Sequence, residues 1–125
     1  MKTQTLTREE FIAQFTARQE QERANAAAMR KDPQACATTL WQLACGDTGG
    51  GRAASALLLS LWNNHFAANM RDVMGNLDIK HTEAALGLLE HMGGGCWLER
   101  YLTQDQIVRV IDQWGEFHEI RRERS

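Results

Sequence analysis

Pro33 is the only proline in 125 residues, and it stands directly after Asp32. Asp is a preferred N-cap, and proline fits the first helical position, where its missing N–H costs no hydrogen bond. The one proline therefore reads as the start of a helix, not as a break in one. β-architectures need frequent turn punctuation and many β-branched or aromatic residues. With a single proline and a single tyrosine, no segment reads convincingly as a strand. The expected fold class is all-α.

The length fits one compact domain with a modest core. Charge is unevenly spread along it. Residues 33–98 carry three basic and five acidic side chains, while 22 of the 30 charges sit in residues 1–32 and 99–125. Burying an unpaired charge is costly, so the core should form from the charge-poor middle. The reading is a helical arm over 1–31 and a helical core over 32–120, with about five main helices.

Helix boundaries follow from capping. Thr7-Arg8-Glu9-Glu10 is a capping box, and the helix after it should run to about Lys31 without Gly or Pro. Asp32-Pro33 starts the second helix, which Gly46 should end in a left-handed C-cap. Asp47 or Thr48 caps a third helix over Arg52 to His65, apolar on nearly all sides and so central. Phe66 should anchor the link that follows, and Asn69 a short turn over Met70–Met74. Asp78 caps a helix to Met92, with Ile79, Ala85, Leu86, Leu89 and Met92 facing inward. After Gly93-Gly94-Gly95 comes a second capping box, Thr103-Gln104-Asp105-Gln106. The last helix shows Ile107, Val110, Ile111, Trp114 and Phe117 at helical spacing and frays in Arg121-Arg122-Glu123-Arg124. Leu58, Leu61, Trp62, Leu86, Leu89, Ile111 and Trp114 form the expected core.

The first helix is unusual in its patterning. Phe11, Ile12 and Phe15 make its start apolar, Thr16 to Asn25 offers only Ala17 and Ala24, and Ala26 to Met29 restores an apolar patch. A helix apolar at both ends and polar between does not lie flat on one core. Either its middle simply faces solvent, or its tip docks on another subunit. Phe11, Ile12 and Phe15 are the candidate interaction residues, and a symmetric homodimer is the default form of such an assembly.

Few residues suggest chemistry. Gly46-Asp47-Thr48-Gly49-Gly50-Gly51-Arg52 is a Gly-rich stretch entering a helix, and Thr48, Gly49, Gly50, Gly51 and Arg52 are the candidate anion site. The stretch lacks P-loop spacing, and Asp47 would repel an anion, so a helix connection is the plainer reading. The histidines 65, 81, 91 and 118 show no HExxH spacing, and His91 with Cys96 is at most half a metal site. Cys36 and Cys45 read as core thiols, and Cys96 as the one cysteine worth testing for reactivity. No acid/base pair stands out, so no catalytic residue, metal or cofactor is expected, and the protein reads as a non-enzyme.

The remaining exclusions are compositional. A net charge of -2 and a pI near 6.1 argue against nucleic acid, since the arginines of 121–124 are diluted by Glu119 and Glu123. The longest charge-free run, Ala53 to Met70, holds six polar residues and falls short of the roughly 20 apolar residues a membrane span needs. No apolar h-region follows Met1-Lys2-Thr3-Gln4, and three cysteines make no disulfide framework. A reducing cytoplasm is the expected setting.

Asp47-Thr48-Gly49, Arg52, Leu57 to Asn63, Phe66 and Leu77-Asp78 resemble an uncharacterised family of small bacterial proteins encoded on plasmids and integrative elements. The resemblance spans roughly residues 46–90. Asn64 stands where the family more usually has Gly, and Ala67-Ala68 replace a bulkier turn. What it implies is an accessory gene of a mobile element, and no activity. The expected function is a helical protein–protein interaction or accessory module, with a nucleic-acid-associated regulator as the alternative and an enzyme last.

Overall fold

The computed structural model describes residues 6–120. Six α-helices follow in order: α1 (Arg8–Met29), α2 (Pro33–Ala44), α3 (Gly49–Trp62), α4 (Met70–Gly75), α5 (Ile79–Met92) and α6 (Gln104–His118). A 3-10 turn, Leu98–Arg100, lies between α5 and α6. Among the described residues the nearest thing to a strand is one isolated antiparallel bridge, Phe66 with Glu119. The arginine cluster at 121–124 lies outside the described residues.

Each helix starts where a side chain can accept a backbone N–H. Thr7 and Thr103 form full capping boxes with Glu10 and Gln106. Asp32, Thr48, Asn69 and Asp78 cap α2, α3, α4 and α5. Of the two residues that could cap α3, Thr48 takes the place, and its Oγ accepts from the Gly51 N–H at 3.0 Å. The helix therefore begins three residues earlier than expected, and the three glycines form its first turn rather than a loop.

The helices stack in series. α3 lies at the centre, against α2, α6 and α4, while α2 is wedged between α3 and α5, and α5 receives the end of α1. From Ala53 to Leu59 every residue of α3 is buried, which its apolar surround demands. Two indoles lock α6 to α2. Trp41 donates to the Gln106 carbonyl at 2.9 Å, and Trp114 donates to the Ala44 carbonyl at 2.9 Å, satisfying one of the carbonyls left open at the end of α2.

Several expectations need correction. Gly46 is not left-handed: among the described residues Gly95 alone has a positive φ. α2 instead ends through Cys45 N–H to the Trp41 carbonyl and Gly46 N–H to the Leu43 carbonyl, without a left-handed residue. The core is also made of smaller side chains than expected. Leu58 is buried, but Leu61, Trp62, Leu89, Ile111 and Trp114 only flank the core, and Leu86 is half-exposed. On α5 the inner face is Ala84, Ala85, Gly87 and Leu88, because the helix presses close on its neighbours. A Cβ on Gly87 would sit 2.6 Å from the Arg30 carbonyl oxygen and 2.7 Å from Cys36 Sγ. Ile79 and Phe117, expected inside, face outward at 42% and 67% exposure. Cys36 is fully buried as expected, whereas Cys45 is only half-buried.

Candidate functional site

The first half of α1 is the most exposed apolar surface of the helix. Phe11, Ile12 and Phe15 are 60%, 52% and 53% exposed, and the two rings stack with centroids 6.4 Å apart. Ala26 is the one buried residue of this helix. Near it, Arg30 reaches Glu83 and Glu90 on α5 at 3.5 and 3.8 Å. α5 begins at Ile79, beside Glu22, where Glu22, Asn25, Ala26 and Met29, with Asp78 at the cap of α5 and its residues Ile79 and Lys80, frame a groove of about 680 Å³. Beyond Glu22 there is no more α5 to cover α1. The sequence placed the three apolar residues on an arm, and the structure brings them together on an overhanging half-helix.

The glycine-rich stretch is built for packing. Thr48 Oγ is taken up by its cap bond, and the Arg52 guanidinium is paired with Asp72 on α4 at 3.1 Å. Gly51 is buried, and a Cβ there would collide with the Gly46 carbonyl oxygen and stand 2.9 Å from that of Leu43. Gly49 and Gly50 complete the turn. The arrangement that suggested an anion site is thus a tight crossing of the α2 end over the α3 start, with its one cation already neutralised.

A second cluster was not visible in the sequence. Ser55, fully buried on α3, donates its hydroxyl to the Arg52 carbonyl at 2.8 Å. His118 Nε2 lies 2.9 Å from the Ser55 Oγ. A hydroxyl has one proton, so the imidazole must donate here, and Nε2 carries the hydrogen by this assignment. A serine sealed from solvent whose histidine donates to it is not an activated nucleophile, since activation requires the histidine to accept. Burial depresses the His118 pKa below its ordinary value. The ring also stacks on Trp114, centroids 5.9 Å apart. Just beyond it, Ala67 N–H donates to the His118 carbonyl, and Ile120 N–H to that of His65. His65 and Glu119 meet at 2.7 Å across the same seam. The sequence signal for this cluster was a serine inside the otherwise apolar run from Ala53 to Leu59.

The central part of the chain matches a described family. Residues 34–115 match a family of unknown function, DUF7673. The chain belongs to the DUF7673 family. Its matched part runs from the first turn of α2 into the last turn of α6 and contains the residues of the resemblance noted from the sequence. The whole of α1 lies outside the DUF7673 segment. No curated protein and no solved structure matches the chain.

Cys96 has an electrostatic setting of its own. Its thiol and the Tyr101 hydroxyl share a hydrogen bond at 3.7 Å, and Arg100 donates to the sulfur at 3.8 Å. The Tyr101 bond, followed by Arg100, holds the thiol below its ordinary pKa, and the same bond raises that of Tyr101. Burial pushes the Cys36 thiol up. His91 Nδ1 bonds to the Gly87 carbonyl at 2.8 Å within its own helix. Among the described residues no three His, Cys, Asp or Glu side chains converge as a metal site would require, and no helix is long and apolar enough to cross a membrane.

Proposed function

We propose that this chain is a non-catalytic interaction module, in which the DUF7673 core is a scaffold and the first half of α1 is the contact element. One observation carries the reading: Phe11, Ile12 and Phe15 are more than half exposed on a helix that leaves its own core behind at Glu22. Clustered large apolar side chains without a cover mark interaction surfaces in soluble domains. The unpaired thiols of Cys36, Cys45 and Cys96 suit a reducing cytoplasm. An accessory role for a bacterial mobile element fits a module that acts by contact.

The test is co-purification with tagged intact chain and with Phe11→Asp/Phe15→Asp, both carrying the same helical circular-dichroism signal. A stoichiometric protein, a second copy of the chain included, should be retained by the intact chain and lost from the variant. Equal retention by both would show that the arm is not the contact element.

A further inference from the structure

We draw no further inference here: the strongest candidate, the uncovered apolar face of Phe11, Ile12 and Phe15 on the first half of α1, belongs to the site already described, and nothing among the described residues shows what covers it.

Discussion

Ser55 Oγ and His118 Nε2 meet at 2.9 Å inside the packing of α3 against α6, although 63 residues separate them in the chain. The imidazole is neutral there because burial disfavours its charged form. Unfolding frees it to bind a proton at its ordinary value of 6.5. The unfolded chain thus binds more protons once the pH falls below that value, and linkage removes stability in that direction. The stabilisation is fully present above about pH 7.5, one unit clear of that value, and is lost as the pH falls through 6.5 toward the folded pKa. Urea midpoints measured across this range should fall for the intact chain and flatten for His118→Gln. An unchanged slope in the variant would remove His118 from the pH response.

Asp78 acts lower on the scale. Burial raises its carboxyl, but the hydrogen bonds from the backbone and ring of His81 outweigh that and leave it below the ordinary 3.8. Its contribution is present above that value and lost as the pH falls through the folded pKa. His118→Gln should therefore keep the loss seen at strongly acidic pH, while Asp78→Asn should lose that component alone.

Gly49 and Gly51 in the first turn of α3, and Gly87 on α5, should respond differently to alanine. At Gly51 and at Gly87 the new methyl meets backbone carbonyl oxygens, which cannot swing aside. Each substitution should cost about 1–3 kcal/mol or more. At Gly49 the nearest atom is the Asn76 side-chain oxygen at 3.3 Å, and that side chain can turn away. Gly49→Ala should leave the denaturation midpoint unchanged or raise stability by up to about 0.5–1 kcal/mol. Equal losses at Gly49 and Gly51 would mean that α2 and α3 do not cross closely at Gly51.

Leu58 and Leu86 look alike in the sequence and differ in the fold. Leu58 is 1% exposed, whereas Leu86 is half-exposed on α5. Leu58→Ala should cost about 2–5 kcal/mol by leaving a cavity, and Leu86→Ala under about 1 kcal/mol. Chemical denaturation of both variants checks the order of the two effects.

Cys96 should be the fastest thiol toward iodoacetamide. Thiolate is the reacting species, and Tyr101 and Arg100 favour it at Cys96. Cys36 is buried with its pKa raised, so it should react only on unfolding. Peptide mapping after short exposure gives the ranking. Tyr101→Phe and Arg100→Gln should each slow Cys96, and a rate indifferent to both would detach its reactivity from these neighbours.

What could be read from the sequence was local. A cap is a bond between a side chain and an N–H two or three residues on, so Thr7, Asp32, Asn69, Asp78 and Thr103 announce their helices without help from the rest of the chain. The exposed tip of α1 was legible for the same reason, since Phe11, Ile12 and Phe15 are close in the chain and no apolar partner follows them. Contacts across the fold were not legible. Leucine size suggested Leu86 as core, whereas the closeness of α5 to Arg30 and Cys36 chose Gly87 and its alanine neighbours. A glycine kept inside a helix despite its propensity cost was the available hint. Ser55 with His118, and Trp41 with the carbonyl of Gln106, join residues 63 and 65 positions apart, and no spacing rule reaches that far.

The attachment of α1 by its last turns alone divides this helix into two thermodynamic regions. From Ala26 onward it packs on α5 and the core, and its amide protons should exchange with solvent mainly when the core opens. The fourteen residues before Glu22 lie near the length at which an isolated helix is marginal in water. Their amides need only a local opening, at a free energy close to zero. Hydrogen exchange should therefore rise steeply along one continuous helix, from protected at Ala26 to nearly unprotected at Phe11. Any partner that settles on Phe11 and Phe15 would flatten that gradient, so the exchange profile of a single helix records whether the arm is occupied.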